Sequence, residues 1–136
     1  MAGKTLVDTG FIVALLSSRD RHHSWAVTCA QQHPPPWSTC EATLSETFHL
    51  LGSRGGSTLA TLIQRGQLGI AFDLTENISP VLKFIEKYRE VPMSLADACL
   101  VRMTETLTET VLLTTDSDFH IYRRHGRQVI PCVTPQ

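Results

Sequence analysis

Strand-like and helical segments alternate along this chain, and this alternation constrains its fold more than any other feature of the sequence. The segments "KTLVD" and "TVLLTTD" are short, aliphatic and β-branched, as buried strands are. Three further segments have the same character: the end of "HPPPWSTC", "LGIAFD" and "RQVIPCV". Strands separated by helices form βαβ units, so we expect an α/β domain with a mostly parallel sheet covered on both faces.

The helical segments lie between these strands and carry end signals. Leu44, Phe48 and Leu51 have helical spacing, and Gly52 follows them as a C-terminal cap. Ser79 and Pro80 suit the cap and the first position of a later helix. The chain therefore predicts helices over "GFIVALLSSRD", residues 21–32, "EATLSETFHLLG", "STLATLIQRG", "SPVLKFIEKYRE" and "SLADACLVRMTETL".

Length and composition exclude several protein classes. The 136 residues contain no repeat or linker, so we expect one domain spanning residues 1–136. The net charge is −1, so an anionic partner must be bound by local basic clusters or through a cation. The apolar run Phe11–Leu16 is too short to cross a membrane and no export signal accompanies it, so we expect a cytoplasmic protein. The four cysteines lack CxxC spacing, which indicates buried, reduced thiols.

Carboxylates follow two of the predicted strands directly. Asp8 ends the first strand inside an otherwise apolar segment, and Asp116 and Asp118 follow the strand "VLLTT". A buried and unpaired carboxylate is energetically costly, so Asp8 needs a compensating partner. Functional sites in open parallel sheets form beyond the carboxyl ends of the strands, and we therefore expect these acids at one edge of the sheet.

Two helices supply further acids to the same edge. Asp97 lies among apolar residues in "SLADACLV", and Glu46 lies on the helical stripe of Ala42 and Leu50. Several carboxylates in one pocket raise one another's pKa unless a cation lies between them. Mg²⁺ or Mn²⁺ is the expected cation, because hard cations prefer oxygen ligands and leave positions for water and phosphate.

Each of these acids also has a purely structural interpretation. Asp8 can cap the helix that follows it, and Asp97 can complete a capping box with the serine before it. Asp116 or Asp118 can cap the turn "DSDFH", and Glu46 can be a solvated residue on an exposed helix edge. The joint placement of the acids at one sheet edge favours the shared metal site.

The chain resembles the PIN domain family, and in particular the VapC-type toxin ribonucleases of bacterial toxin–antitoxin pairs. The resemblance rests on four segments in order, "LVDTGFIVALL", "LSETFHLL", "SLADACLV" and "LLTTDSDF", and covers essentially the whole chain. It implies a three-layer α/β sandwich whose central, mostly parallel sheet has about four to five strands. One departure is Gly10, where many relatives carry Ser or Asn, which removes a potential hydrogen bond near the metal but no ligand.

The resemblance implies metal-dependent hydrolysis of RNA phosphodiester bonds. It gives catalytic roles to Asp8, Glu46, Asp97, Asp116 and Asp118, and Asp8, Asp97 and Asp116 are the expected ligands of Mg²⁺ or Mn²⁺. Glu46 would orient a water or complete the metal coordination, and Asp118 would support a second metal. The resemblance also implies a homodimer and a separate antitoxin protein that packs near the acidic groove.

A basic cluster, "RRHGR", follows the last acids. Arg123, Arg124 and Arg127 are candidates for contacts to RNA phosphates, and a solvated surface turn is the alternative. We expect this turn to be exposed, so that neutralising its arginines has little effect on folding.

Other protein classes share part of this pattern. "VDTG" occurs in aspartic proteases, but those enzymes are all-β and this chain is helical after the motif. Haloacid-dehalogenase-like phosphatases usually place a second Asp where this chain has Gly10, and receiver domains need paired acids and a late lysine. The remaining alternative is a PIN-like domain that binds RNA or a protein without cleaving it. Metal-dependent cleavage by the purified protein discriminates between the two.

Overall fold

The computed structural model describes residues 5–135 and contains short strands, α-helices and one 3₁₀ helix. Lys4 of the first predicted strand lies outside the described residues, and the single domain over residues 1–136 stays a prediction. The strands are β1 (Thr5–Val7), β2 (Trp37–Thr39), β3 (Leu68–Ile70), β4 (Val111–Leu113), β5 (Arg123–Arg124), β6 (Gln128–Val129) and β7 (Cys132–Val133). The helices are α1 (Thr9–Leu16), α2 (His23–Gln32), α3 (Glu41–Gln64), α4 (Leu74–Lys87), α5 (Leu95–Thr106) and the 3₁₀ helix η1 (Ser117–His120).

Five of the strands form one parallel sheet in the order β3-β2-β1-β4-β7, which confirms the predicted α/β class. The chain runs outward from β1 through β2 to β3 and then returns, so that β4 pairs with the other side of β1. Binding sites in open α/β sheets form at such a reversal of strand order. Val7 pairs with Leu113, so the next residues, Asp8 and Thr114, leave the sheet side by side.

Alternate residues of the two central strands face separate hydrophobic cores. Leu6 and Leu112 pack with α4 and α5 on one face of the sheet, around Leu100. Val7 and Leu113 pack with α1, α2 and α3 on the other face. Successive side chains of a strand point to opposite faces, so these short strands are apolar on both sides. The predicted three-layer sandwich is confirmed.

The helix predicted to begin just before Pro80 begins earlier, so that prediction is wrong. α4 starts at Leu74, where the Asp73 side chain accepts a hydrogen bond from the backbone N–H of Glu76 at 3.3 Å. Pro80 lies within the helix, and Val81 beside it is fully buried. The proline removes one backbone hydrogen bond, and the N-terminal cap together with this burial offsets that loss.

Gly52 has φ 69° and ψ −170°, so regular helical geometry ends there as predicted, and α3 consists of two helical segments on either side of this kink. Three other boundaries differ from the sequence prediction. α1 ends at Leu16 instead of Asp20. α2 begins at His23 instead of Arg21. The last predicted strand is divided into β6 and β7 at Pro131, which has no backbone N–H for a sheet ladder. β6 pairs antiparallel with β5 in a hairpin that the sequence did not predict.

Within residues 5–135, no helix combines the length and the apolar character that crossing a membrane requires. All four cysteines are free. Cys29, Cys40 and Cys99 are buried as expected, whereas Cys132 is half-buried because it lies on an edge strand of the sheet.

Candidate active site

A cavity of about 370 Å³ opens at the strand-order reversal between β1 and β4. Four of the five predicted acids line it: Asp8, Glu46, Asp97 and Asp116. Asp8 directly follows β1, while Glu46 and Asp97 come from α3 and α5 and Asp116 lies beyond β4. The fold therefore brings together acids that are distant in sequence. Asp118, the fifth acid, is not part of this lining.

Asp8 is the most buried of these acids, with 7% of its surface exposed. Its Oδ1 accepts a hydrogen bond from the backbone N–H of Phe11 at 3.1 Å, and its Oδ2 accepts one from the Thr114 hydroxyl. Burial raises the pKa of Asp8 from 3.8 to about 7, the two hydrogen bonds oppose part of this, and the charges of Asp97 and Asp116 add to it. Asp8 therefore both caps α1 and brings a costly negative charge to the cavity.

Asp97 is held from two sides. It forms a capping box with Ser94, whose hydroxyl accepts a hydrogen bond from the Asp97 backbone N–H at 3.0 Å. The buried Tyr122 donates its hydroxyl to Asp97 Oδ2 at 3.2 Å. Burial raises the pKa of Asp97, and the charge of Asp116 raises it further. Tyr122 was not predicted, and only its closeness to the last acids in the sequence hinted at a role.

Asp116 organises the loop that follows β4. Its backbone N–H donates to the Thr114 hydroxyl at 2.9 Å, and its Oδ1 accepts from the backbone N–H of Asp118 at 2.8 Å. Thr114 thus links Asp8 to Asp116, with one hydroxyl bonded to both residues. Burial raises the pKa of Asp118, and the charge of Asp116 raises it further. The structural interpretation of Asp116 as a cap is correct, and the residue faces the cavity as well.

Glu46 is the exposed member of the set. It lies one helical turn before Leu50 on α3, and both residues line the cavity. This exposed carboxylate differs from those of Asp8 and Asp97, whose oxygens accept hydrogen bonds from neighbouring residues. It is therefore suited to contact a water or a substrate group that enters from solvent.

The donor set fits a hard divalent cation. Between residues 5 and 135, no group of three or more His, Cys, Asp or Glu side chains is placed where it could hold a metal ion. Mg²⁺ does not need such a group, because it keeps several waters and is usually bound through one or two carboxylates and substrate phosphates. Asp8 supports the fit, since among the described residues no basic side chain forms an ion pair with this buried carboxylate. A bound cation would compensate the negative charge of Asp8.

Gly10 leaves room for the hydroxyl of Thr115, which lies just beyond β4. A Cβ atom at this position would overlap the Thr115 hydroxyl and lie 3.1 Å from the Thr115 Cβ. Thr115 lines the cavity beside Gly10. Thr115 therefore occupies the space that a side chain at position 10 would fill.

The arginines of the "RRHGR" segment are less exposed than expected, and the prediction of a freely solvated turn is wrong for two of them. Arg123 donates to the carbonyls of His120, Ile121 and Tyr122 at 2.8–3.2 Å. Arg124 donates through Nε to the Thr104 carbonyl at 3.0 Å, near the end of α5. Both are half-buried because these carbonyls end helices and need donors. Arg127 is exposed, and RNA binding by the three arginines stays a prediction.

Comparison with known proteins gives a family and a fold. The PIN domain family model matches residues 5–124. The structure is similar to the crystal structure of Mycobacterium tuberculosis VapC20, described as a sarcin–ricin loop cleaving toxin, with a TM-score of 0.72. The two chains are 23% identical, and the match covers 84% of this chain and 91% of that chain. No curated protein sequence matches the chain significantly.

Proposed function

The chain belongs to the PIN domain family, and from this premise we propose that it is a metal-dependent ribonuclease that hydrolyses RNA phosphodiester bonds. The observation that supports this best is the cavity at the strand-order reversal, where four carboxylates surround a pocket open to solvent. Asp8 is buried there with its pKa raised to about 7 and without a basic partner among residues 5–135. Such an arrangement favours cation binding over a purely structural role.

Asp8, Asp97 and Asp116 are the residues that would hold Mg²⁺ or Mn²⁺, directly or through water. The cation, when bound, supplies an activated water and neutralises the negative charge that develops on the phosphate. Glu46, at the exposed mouth, accepts a hydrogen bond from the attacking water and orients it. Asp118 lies behind Asp116 outside the cavity lining, where it would support a second cation.

Two neutral side chains position these carboxylates. The Thr114 hydroxyl bridges Asp8 and Asp116, and the Tyr122 hydroxyl donates to Asp97. These hydrogen bonds fix the direction of the side chains, as the partners of metal ligands usually do. The acids of the floor thus retain lone pairs for a cation while their side chains stay fixed.

The biological setting is also part of the proposal. We infer that the protein is the toxin of a toxin–antitoxin pair, acts on RNA in the cytoplasm and binds a separate antitoxin protein. The likeness to VapC20, a toxin that cleaves the sarcin–ricin loop, supports this inference. A homodimer is the expected assembly. Ile78 and Leu82 lie one turn apart on α4 and are 43% and 55% exposed, so this helix offers an apolar surface to a second copy.

Cleavage by the purified protein tests the proposal. We expect a structured RNA to be cut with Mg²⁺ or Mn²⁺ and to stay intact with EDTA. Asp97→Asn should reduce cleavage by orders of magnitude, while Glu90→Gln, which alters an acid outside the cavity lining, should leave it unchanged. Binding of RNA without cleavage under every metal condition would instead indicate a PIN-like binding domain.

A further inference from the structure

A second groove adjoins the acidic cavity and shares one residue with it. Leu50 lines both spaces, so the groove begins where the cavity ends. The groove measures about 440 Å³ and lies between the end of α1 and the second half of α3. Its lining combines apolar residues such as Val13 and Leu16 with two arginines, Arg19 and Arg54.

Two helical segments of α3, one on each side of the kink at Gly52, line the two spaces. Glu46 and Leu50 are four residues apart in the first segment, and Arg54 and Thr58 are four residues apart in the second, so each pair lies on one side of its own segment. Glu46 belongs to the cavity, Leu50 to both spaces, and Arg54 and Thr58 to the groove. The kink at Gly52 lies between the acidic and the basic parts of α3.

Arg19 and Arg54 have no ion-pair or hydrogen-bond partner within residues 5–135, and both are exposed. Arg21, Arg65 and Arg127 likewise have no such partner among these residues, but none of the three lines a groove with a second arginine; Arg89 and Arg102 pair with glutamates and Arg124 donates to a backbone carbonyl. In a protein with a net charge of −1, two unpaired guanidinium groups beside one groove are a local site for anions.

The hydroxyl groups of the groove add donors to the same site. Ser17, Ser18 and Thr58 line it together with the two arginines. Guanidinium and hydroxyl donors beside apolar side chains suit a single nucleic acid strand, whose phosphates accept hydrogen bonds while its bases and sugars contact apolar surface. An acidic peptide shares the charge but does not account for the continuity with a cavity that takes a phosphodiester.

We propose that this groove binds the phosphates of the RNA strand that flank the scissile bond, with Arg19 and Arg54 as the phosphate contacts. The inference rests on the proposed ribonuclease function and adds the path of the substrate. A strand held in the groove continues past Leu50 and presents its next phosphodiester to Asp8, Asp97 and Asp116.

Binding of a single-stranded RNA dodecamer of mixed sequence tests the path. All variants are made in an Asp97→Asn background, so that the strand stays intact, and the dissociation constant is measured over a range of salt concentrations. Each phosphate contact contributes a slope of about 0.7 for single strands, so Arg19→Gln with Arg54→Gln should flatten the salt slope by about 1.4 and weaken binding roughly tenfold near physiological salt.

Two further variants serve as controls. Arg65→Gln, also on an exposed arginine at the end of α3 but outside the groove, should leave the slope unchanged. Arg54→Lys keeps the charge and should restore most of the affinity. An unchanged slope in the double variant would overturn the inference, and so would an unchanged RNA affinity combined with lost binding of an oligoglutamate peptide.

Cleavage by the otherwise intact enzyme separates this inference from the proposed function. A dinucleotide reaches only the acidic cavity, whereas the dodecamer also occupies the groove. Arg19→Gln with Arg54→Gln should raise KM for the dodecamer several-fold, with kcat nearly unchanged, and leave dinucleotide cleavage as it is. Equal KM values for the dodecamer in parent and variant would refute RNA binding in the groove and leave the proposed ribonuclease function unaffected. A parent that cleaves neither substrate refutes the ribonuclease and the substrate path together.

Discussion

Replacement of Asp8 by Asn measures the energetic cost of the buried carboxylate directly. The pKa of Asp8 is about 7 in the folded protein, against an ordinary value of 3.8. At about 1.4 kcal/mol per pH unit, ionisation of Asp8 lowers the free energy of unfolding of the metal-free protein by about 4 kcal/mol. Because the pKa is raised in the folded protein, this stability of about 4 kcal/mol is fully present below about pH 4, where Asp8 is protonated in both states. It is lost as the pH rises toward 7.

The substitution to Asn removes the charge but also alters one hydrogen bond. The Asn side chain can still accept from the Phe11 backbone N–H and cap α1, since Asn caps helices about as well as Asp. Its amide nitrogen cannot accept from the Thr114 hydroxyl, which costs about 1–2 kcal/mol. The variant should therefore be less stable than the parent near pH 4 by about that amount. It should be more stable at pH 8 by about 2–3 kcal/mol, with the two curves crossing near pH 5.

Urea unfolding in EDTA, followed by tryptophan fluorescence at a series of pH values, gives the required stabilities. The matched control is Asp73→Asn, because Asp73 caps α4 through the same kind of hydrogen bond but is exposed. Asp73→Asn retains the buried Asp8, so its stability should fall between pH 4 and pH 8 as that of the parent does. If the curves of the parent and Asp8→Asn run parallel between pH 4 and pH 8, Asp8 does not bring an uncompensated charge to the cavity.

Three further substitutions test individual contacts. Gly10→Ala should lower the free energy of unfolding by about 1–3 kcal/mol through overlap with the Thr115 side chain, and Thr115→Ala should recover most of that loss, as measured by urea unfolding. Tyr122→Phe should keep the fold but weaken Mn²⁺ binding about tenfold, because it removes the hydroxyl that donates to Asp97. Calorimetric titration measures this affinity, and equal affinities of parent and variant would contradict the positioning role of Tyr122. Arg124→Gln should lower the free energy of unfolding by about 1–2 kcal/mol, because the Arg124 guanidinium donates to the Thr104 carbonyl near the C-terminal end of α5. An unchanged unfolding midpoint would instead support the interpretation of Arg124 as a solvated residue of a surface turn.

The sheet and the set of acids could be predicted because their signals are local. Short apolar runs such as "VLLTT" indicate strands buried on both faces, and an acid that directly follows such a run must lie at the carboxyl end of the sheet. Asp8 and Asp116 were placed in this way, and the structure brings both into one cavity. Asp97 and Glu46 required the assumption that their helices pack against the same edge, which they do.

The supporting contacts could not be predicted, because they depend on tertiary packing. Nothing in the local sequence around Tyr122 indicates that its hydroxyl reaches a carboxylate on α5. The partners of Arg123 and Arg124 are backbone carbonyls, which every segment has, so composition alone suggested a solvated basic cluster. The start of α4 was missed because Pro80 is a strong local signal, whereas the competing cap at Asp73 acts through one hydrogen bond.

The central claim is that the acids of the cavity bind a divalent cation, and calorimetric titration with Mn²⁺ at pH 6 tests it most directly. Asp8 is largely protonated at that pH, because burial holds its pKa at about 7. A bound cation must displace this proton, so the measured heat should depend on the ionisation enthalpy of the buffer and correspond to the release of nearly one proton. That release should decline above pH 7 and be absent in Asp8→Asn. No binding heat in the parent, or binding that is equally strong in Asp8→Asn, would contradict the account.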